Sequence, residues 1–384
     1  MQSPPTQSPE RTKSMRVTMV STSYPFDPED WRGRFIKEMV YALAEDRAVE
    51  LSLWAPPGKI PDNVAYRPTA AEAAWLKDLL ARGGIAHLIR SRTPRGFEAV
   101  FKLLWLLRRN CLRKPEADVA HVNWLQNVLP FWGTSIPAVV SVLGTDFGLL
   151  RVPGVTGLIR TVLRQRECLI APNADWMVPE LEKRFGDVAR VRAIPFGVDD
   201  RWFSVKPIRT PGAPRQWLVV SRVTEKKIGP LFSWGEGLFG TDDELHLLGP
   251  MQEDLSIPGW VRYHGPTHPD ALESEWFPRA AGLISVSRHD EGRPQVILEA
   301  MAARLPILAS AIPAHRNVVR HMETGWLASS REEFAGGLEW LARPDHNEAA
   351  GASAHDWVRR EIGTWRDCAD RYKTAYRMVT GVEG

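Results

Sequence analysis

Two glutamates in the C-terminal half have the type and spacing to do chemistry. Glu291 and Glu299, with seven residues between them, follow the apolar strand pattern Gly282–Val286. Pro294 suits the first turn of a helix, so Glu291 would precede that helix and Glu299 would lie about one and a half turns into it. A helix N-terminus binds anions, phosphate above all, and a carboxylate beside it can accept hydrogen bonds from sugar hydroxyls. The residues that would line this site are Gly292, Arg293, Pro294, Gln295 and Val296. The alternative is a capping Glu on an ordinary amphipathic helix.

Two basic side chains occupy a similar place after another strand pattern. Arg222 and Lys227 follow the strand pattern Trp217–Val220. The planar fork of an arginine and the point charge of a lysine suit a diphosphate at the carboxyl end of a strand. A solvated basic turn is the alternative. Gly33, after the first strand pattern, could let backbone approach a phosphate, or could be a turn glycine.

Short apolar strands alternate with helical patterns along most of the chain. One series runs from Arg16–Ser21 to Val191–Ile194, and a second runs from Trp217–Val220 to Ile307–Ala309. The Pro-rich stretch Lys206–Arg215 separates them. This alternation predicts an α/β protein with two doubly wound parallel sheets. Ligands of such sheets bind at the carboxyl ends of the strands, and a cleft between the two domains is the expected site. The tail, Ala354–Val379, has a helical pattern.

The composition bounds the class of protein. The chain has 384 residues, 44% hydrophobic and 25% charged, with a net charge of +3, which excludes collagen-like, coiled-coil and wholly disordered proteins. No run of about 18 apolar residues predicts a transmembrane helix. Residues 1–15 are polar and Pro-rich, without the apolar core of a secretory signal, and predict a disordered leader. Three scattered cysteines predict a reducing cytoplasm, without disulfides or a zinc site.

One stretch of the chain is strongly basic. Residues 87–114 contain eight Lys or Arg against Glu98 alone, and Phe97, Phe101 and Trp105 fall at helical spacing. A basic amphipathic helix predicts contact with an anionic membrane surface. An ordinary helix with its apolar stripe in the core is the alternative. A nucleic-acid partner is disfavoured, because no DNA-reading module or stacking pattern accompanies the charges.

The C-terminal half resembles glycosyltransferase family 4, a group of retaining enzymes with the GT-B fold. The run from Glu291 to Ala302 is similar to the EX7E motif of that family, down to its EAMA end. The resemblance spans about residues 16–380 and is looser in the first half. Further similar segments are Ala193–Asp199, Val220–Lys227, Leu248–Pro250, Val261–Gly265, Leu305–Ala309, Glu323–Leu327 and, more loosely, Gly33–Glu38.

The resemblance implies a domain organisation. It implies two Rossmann-like domains that face a cleft, with the C-terminal helix crossing back to the N-terminal domain. The boundaries so implied are 1–15 for the leader, 16–200 for an acceptor-binding domain, 201–360 for a donor-binding domain and 361–384 for the returning helix.

The resemblance also implies roles for individual residues. Glu291 would contact the donor sugar, and Glu299 would contact the nucleotide ribose. Arg222 and Lys227 would hold the diphosphate, which Gly33 would approach from the other side. Because fixed cations would stabilise the departing diphosphate, neither a metal nor a cofactor is expected.

Two runs depart from the family pattern on the acceptor side. Leu143 stands where the family often has a His, in a run that ends at Asp146. Asn123 stands at the second place of an HxHW-like run. Asn123 and Asp146 are therefore the predicted acceptor-side residues. Arg293 replaces a residue that is usually apolar, which predicts an altered sugar preference.

The residues and the resemblance together predict a retaining hexosyltransferase. It would move a sugar from a nucleotide-diphosphate sugar to a hydroxyl of a lipid-linked or oligosaccharide acceptor, by front-face substitution. The expected setting is bacterial cell-surface polysaccharide biosynthesis (lipopolysaccharide, capsule or exopolysaccharide), in the cytoplasm and peripheral to the inner face of the membrane. The alternatives are a nucleotide-sugar epimerase or sugar phosphorylase on the same fold, or a non-catalytic nucleotide-binding scaffold.

Overall fold

The computed structural model describes residues 14–27, 30, 32–83, 94–113, 117–208, 210, 212–288 and 291–381. Most of the predicted leader, and residues 87–93 and 114 of the basic stretch, lie outside the described residues. Contacts divide the chain into two compact units. The first contains residues 1–140, 157–169 and 374–384, and the second contains residues 141–156 and 170–373.

The first sheet has seven strands. They are β1 (Met15–Val20), β2 (Val49–Trp54), β3 (Ala65–Tyr66), β4 (Val119–Asn123), β5 (Ala138–Val142), β6 (Cys168–Pro172) and β7 (Arg190–Val191). Their order is β3-β2-β1-β4-β5-β6-β7. β1 pairs in parallel with both β2 and β4, so the carboxyl ends of β1 and β4 meet at one edge. Every residue of β4 and β5 is buried, which explains why most of them are apolar or small; the exceptions, His121 and Asn123, are buried polar residues of β4.

The second sheet has six strands. They are β8 (Arg215–Val220), β9 (Asp243–Leu248), β10 (Val261–Gly265), β11 (Ala280–Ser285), β12 (Ile307–Ser310) and β13 (Gly325–Ala328), in the order β10-β9-β8-β11-β12-β13. β11 pairs in parallel with both β8 and β12. The strand order therefore reverses between β8 and β11, which is the topological switch point where ligands of such sheets bind. The predicted α/β class with two doubly wound parallel sheets is confirmed.

Helices follow most of the strands. The α-helices are α1 (Arg34–Ala44), α2 (Ala70–Ala81), α3 (Pro94–Cys111), α4 (Val155–Leu163), α5 (Val178–Phe185), α6 (Asp200–Ser204), α7 (Glu225–Ile228), α8 (Leu231–Gly235), α9 (Pro269–Ala271), α10 (Phe277–Arg279), α11 (Gln295–Ala302), α12 (Pro313–Arg316), α13 (Arg331–Ala342), α14 (Pro344–Trp357) and α15 (Trp365–Thr380). Short 3-10 turns cover Leu125–Phe131, Thr145–Arg151 and Asp175–Met177, and π turns cover Leu272–Trp276 and Val358–Ile362. Among the described helices, none is long and apolar enough to cross a membrane.

The second sheet is buried on both faces. Successive side chains of a strand point to opposite faces, so Leu218 joins one apolar cluster and its neighbours Trp217 and Val219 join another. Leu283 and Ile284 of β11 divide in the same way. Helix α11 packs into the first cluster through Ile297, Leu298 and Met301. The switch point is thus built on strands whose positions are fixed by two cores.

The tail is not one continuous helix. α14 passes into the π turn Val358–Ile362, and Gly363 then adopts a left-handed conformation with φ of 69°. Asp367 caps the helix that follows, because its Oδ2 accepts a hydrogen bond of 2.6 Å from Thr364 N. The apolar spacing continues across the break, which is why the sequence pattern predicts a single helix.

The three cysteines are unpaired and shielded. Cys168 and Cys368 are buried, and Cys111 is half-buried. Burial raises the pKa of each thiol to about 12. Neutral thiols of this kind are poor nucleophiles and poor metal ligands.

Candidate functional site

The structure brings together the two segments that sequence reasoning singled out separately. Lys227 Nζ lies 2.6 Å from Glu291 Oε2, and the side chains are 17% and 18% exposed. Lys227 belongs to α7, whose N-cap Thr224 accepts a hydrogen bond from Lys227 N through its side chain. Glu291 lies in the loop between β11 and α11. The ion pair therefore spans the carboxyl ends of the two strands at the switch point.

Backbone contacts hold these two segments against each other. Arg288 N donates to Lys226 O over 2.8 Å. Gly229 has φ of +56°, and a Cβ there would lie 2.2 Å from Val286 O. Only glycine fits so close an approach in that conformation. The loop that carries Glu291 is consequently fixed at its start by the segment that carries Lys227.

His315 was not predicted from the sequence, yet it lies close to the ion pair. Its Nδ1 is 2.9 Å from Ser310 O, its Nε2 is 3.3 Å from Ser285 Oγ, and the side chain is fully buried. Burial lowers the pKa of His315, and the charge of Glu291 opposes this shift while that of Lys227 adds to it. The sequence gives no signal for this role, because His315 follows Pro313 and Ala314 without any recognisable motif.

Arg222 lies at the same sheet edge as the ion pair. It follows β8, and its Nη1 is 3.3 Å from Gln252 Oε1. The side chain is half-buried. Arg222 thus lies two residues beyond the carboxyl end of β8.

Helix α11 begins one residue later than predicted. Pro294 is its N-cap in an extended conformation, and Gln295 is the first helical residue. Gln295 Nε2 donates to Gly197 O over 2.8 Å, and Val296 packs against the core. Glu299 is half-buried in the second turn.

Arg293 is turned away from solvent. Its Nη2 is 2.8 Å from Asp175 Oδ2 and 2.9 Å from Asn317 Oδ1, and its side chain is only 5% exposed. Burial lowers the pKa of Arg293, and the carboxylate of Asp175 opposes that shift. Its side chain therefore binds protein groups, and a direct contact with a donor sugar stays a prediction.

Two predicted acceptor-side residues lie in different units. Asn123, in the first unit, is fully buried and donates from Nδ2 to Val20 O, while its Oδ1 has no hydrogen-bond partner within the described part of the chain. Trp124 beside it has the unusual φ of 68°. Asp146, in the second unit, is buried and accepts a hydrogen bond of 2.9 Å from Leu143 N through Oδ1. Asp146 therefore has a local structural role.

Gly33 has a structural reason to be glycine. It precedes α1 with φ of 69°, and a Cβ there would lie 2.7 Å from Ser23 Oγ. The close approach that is visible is to the chain's own loop. Contact with a phosphate stays a prediction.

Comparisons with known proteins agree with this geometry. The family model described as "Glycosyl transferases group 1" matches residues 235–343, which include Glu291 and Glu299. Two curated relatives are D-inositol 3-phosphate glycosyltransferases. The one from Frankia alni is 34% identical over 107 residues, which are 27% of this chain and 26% of the relative. The one from Geodermatophilus obscurus is 25% identical over 247 residues, which are 56% of this chain and 53% of the relative. The matches thus span about half or less of these relatives.

Solved structures decide the fold. A sucrose-phosphate synthase from Thermosynechococcus elongatus superposes with a TM-score of 0.71 at 14% identity, over 96% of this chain and 100% of that one. Anabaena HepE in complex with UDP-glucose superposes with a TM-score of 0.62 at 12% identity, over 95% and 100% of the two chains. This chain has the GT-B fold. The fold that the resemblance implies is confirmed.

The GT-B protein offers no metal cluster among its described side chains. No group of three or more His, Cys, Asp or Glu residues is arranged to hold an ion in the described ranges. The polar groups that the site does offer are the Lys227–Glu291 pair, Arg222 and Glu299. Their roles toward a ligand stay predictions.

Proposed function

We propose that this GT-B protein is a retaining glycosyltransferase that takes a hexose from a nucleotide-diphosphate sugar. The observation that carries the proposal is the Lys227–Glu291 ion pair at the switch point of the second sheet. A cation beside a carboxylate matches the two parts of such a donor, because the diphosphate needs positive charge and the sugar hydroxyls need an acceptor. The two curated relatives are named as glycosyltransferases, and HepE is bound to UDP-glucose.

The donor would engage each group by its chemistry. Lys227 and Arg222 would bind the diphosphate and stabilise the negative charge that grows on it as the sugar departs. Glu291, released from part of its contact with Lys227, would accept hydrogen bonds from the sugar. Glu299 would accept them from the ribose. Fixed cations would take the place of a metal ion, and the sugar would leave and react on the same face.

We base the proposed acceptor-binding site on a buried amide side chain. Asn123 Oδ1 has no partner among the described residues, although it is fully buried, and a bound hydroxyl would satisfy it. Gln126 Oε1, three residues further on, is a second buried oxygen without a partner there. We assign acceptor binding to residues 16–200 and donor binding to residues 201–360. A lipid-linked or oligosaccharide acceptor, and a place in cell-surface polysaccharide synthesis, are part of this proposal.

The test is a thermal-shift screen of the purified chain with UDP, GDP, ADP, dTDP and CMP and their common sugar conjugates. One nucleotide class is expected to raise the Tm, because a ligand stabilises the fold that binds it. Transfer from that donor, with the anomeric configuration of the product read by NMR, then tests retention. No shift with any nucleotide would overturn the proposal. Product formation without acceptor, or only with free phosphate, would favour the epimerase or the phosphorylase.

We also propose that α3 docks on an anionic membrane surface. Phe97, Phe101 and Trp105 are 58%, 72% and 55% exposed, so this stripe is not the one that packs into the core. A different face of α3 is buried, formed by Ala99, Leu103, Leu106 and Leu107. Three large apolar side chains on one exposed helix face form an apolar patch, and such patches are typical of surfaces that bind a partner or a membrane.

The basic side chains beside this stripe favour an anionic lipid surface as its binding partner. Lys102 and Arg109 are exposed on α3, and the Arg109 guanidinium lies 4.7 Å from the centre of the Trp105 ring. Aromatic rings flanked by basic side chains suit the boundary between headgroups and acyl chains. Each basic side chain near such a surface adds about 1 kcal/mol of attraction. This proposal places the enzyme at the inner face of a membrane, where a lipid-linked acceptor would be found.

Vesicle sedimentation tests the docking face. Wild type is expected to bind vesicles of phosphatidylcholine with phosphatidylglycerol, to bind pure phosphatidylcholine weakly, and to lose binding as salt rises. The double variant Phe101→Ser/Trp105→Ser should lose it. Ile208→Ser, at a similarly exposed apolar residue in the second unit, should not. Equal binding by both variants, or a dimer that Trp105→Ser dissociates, would overturn the proposal.

A further inference from the structure

The two residues that follow Glu291 are held by side chains from other parts of the second unit. Trp176 Nε1 donates to Gly292 O over 2.7 Å. Asp175, the neighbour of Trp176, accepts a hydrogen bond of 2.8 Å from Arg293 Nη2. Asn317 Oδ1 accepts from the same nitrogen over 2.9 Å. Two consecutive residues of the loop are thus bonded to two separate segments.

Arg293 forms the stronger part of this arrangement. Its side chain is 5% exposed, whereas Asp175 is 67% exposed. A buried guanidinium stays charged, so its cost is offset only by partners that remain in place. Asn317 Nδ2 also lies 3.3 Å from Asp175 Oδ2, which links the two partners to each other. Arg293 therefore cannot leave this position without losing all its charge compensation there.

Gly292 is enclosed as tightly as its neighbour. A Cβ on Gly292 would lie 2.1 Å from Asn173 Oδ1. A Cβ on Gly144, whose φ is +104°, would lie 2.2 Å from Gly292 N. The Trp176 ring is itself supported by Phe147, edge to face at 5.4 Å. Neither Gly292 nor Gly144 therefore has room for a side chain, and the two backbones pack directly against each other.

We infer that Trp176, Asp175 and Asn317 are positioning residues that set where the Glu291 carboxylate lies, through their hold on Gly292 and Arg293. The inference rests on the proposed role of Glu291 toward the donor sugar. In this inference, Arg293 holds the loop in place through its contacts with Asp175 and Asn317. The hold acts on the loop of Glu291, whereas Lys227, although paired with Glu291, is positioned by the Thr224 cap of its own segment.

Because the positioning residues contact only the loop of Glu291, their replacement should affect the binding of one part of the donor. Loss of the hold should weaken recognition of the sugar and leave recognition of the nucleotide diphosphate intact. A displacement of about 1 Å at a reacting centre can lower a rate on the order of a hundredfold. A residue with a merely structural role would instead lower the Tm and leave the preference for sugar nucleotide over nucleotide unchanged.

The experiment compares Trp176→Phe with a matched Trp→Phe control. Trp176→Phe removes the indole N–H and keeps a ring against Phe147. Trp217→Phe removes an equivalent bond elsewhere in the second sheet. Trp217 Nε1 donates a hydrogen bond of 2.7 Å to Asp243 Oδ1, and neither residue belongs to the loop of Glu291. The measurements are the Kd of UDP and of UDP-glucose, or of the pair that the nucleotide screen selects, together with kcat and KM for the donor.

The expected result is specific to the sugar. For Trp176→Phe, the Kd of the nucleotide should stay within about twofold, while the advantage of the sugar nucleotide disappears and kcat falls about tenfold to a hundredfold. Trp217→Phe should lower the Tm and keep the preference. Asp175→Ala should reproduce the effect of Trp176→Phe. An unchanged preference in both Trp176→Phe and Asp175→Ala would overturn the inference, whereas a wild type that binds no nucleotide would overturn the proposed function itself.

Discussion

Lys227 and Glu291 depend on each other because each is largely shielded from water. A half-buried ion pair contributes little net stability, but removing one partner leaves the other charge without compensation. The same shielding makes either charge strong toward a ligand that displaces part of the pair. In the proposed function, the pair would hold the site in a defined state before the donor binds, and Lys227 and Glu291 would then contact the diphosphate and the sugar respectively.

Replacing Lys227 should consequently cost turnover more than stability. We expect Lys227→Met to lower kcat by about 10² to 10³, the cost of removing one group that stabilises developing charge. The neighbouring Lys226 has an exposed side chain and serves as the control. Steady-state transfer from the selected donor, with the Tm of each variant, decides the matter. Equal losses in Lys227→Met and Lys226→Met would contradict the assignment.

At the scale of elements, the break in the tail depends on a cap. Thr364 N and Thr364 Oγ1 both donate to Asp367 Oδ2, over 2.6 and 2.8 Å, immediately after the left-handed Gly363. Thr364 Oγ1 in turn accepts a hydrogen bond of 3.4 Å from Asp367 N, so the two residues form a capping box at the first turn of α15. The tail is therefore two helices, and the second begins at a side-chain cap.

Loss of that cap should be measurable as stability. Asp367→Ala should lower the free energy of unfolding by about 0.5–2 kcal/mol. Asp370→Ala is the control, because the Asp370–Lys373 pair is an i,i+3 contact with an exposed carboxylate, and such pairs contribute little. Urea unfolding of the two variants gives both values. A cost for Asp370→Ala equal to that for Asp367→Ala would show that the cap has no special role.

Much of the element structure could be predicted, because buried parallel strands carry a strong local signal. The patterns Trp217–Val220 and Gly282–Val286 lie within two residues of β8 and β11. β13 was not predicted as a strand, because Gly325–Ala328 begins with a glycine and contains no β-branched residue. The exposed stripe of α3 could not be told from a core stripe, because spacing identifies a face without saying what covers it.

Most residues of the candidate site could be predicted from the sequence, but the contacts between them could not. Glu291, Lys227 and Arg222 follow strands, and residues at strand ends meet when the strands are neighbours. Their pairing depends on the order of strands in the sheet, which no local pattern contains. The bonds from Trp176 and Asp175 to the Glu291 loop join residues more than a hundred positions apart, and His315 carries no motif at all.

For the whole molecule, buried histidines make stability depend on pH. Burial lowers the pKa of His121 to about 3, and burial also lowers the pKa of His315 and of His246. These imidazoles are neutral in the folded protein at pH 7. An unfolded histidine takes up a proton near pH 6.5, so the unfolded state binds more protons below that pH.

The free energy of unfolding should therefore fall as the pH drops from about 7 to about 4, within the window between the unfolded and folded pKa values of these groups. His121 should contribute most to the slope, and His121→Gln should flatten it. His268, which is exposed, provides the control variant His268→Gln. Urea unfolding at several pH values gives the slope. A wild-type slope of zero in this range would contradict the prediction.

The shielded cysteines make the natural chain a suitable background for site-directed labelling. Thiols whose pKa is about 12 are almost entirely protonated at neutral pH, and maleimides react with the thiolate. We expect the native protein to react slowly with a maleimide dye and to react at three sites after denaturation. A single cysteine introduced at Phe101 or at the exposed Lys226 would then carry a fluorophore without a cysteine-free template. Fluorescence could in this way follow lipid contact on α3 and sugar binding near Glu291 in separate samples of one parent protein.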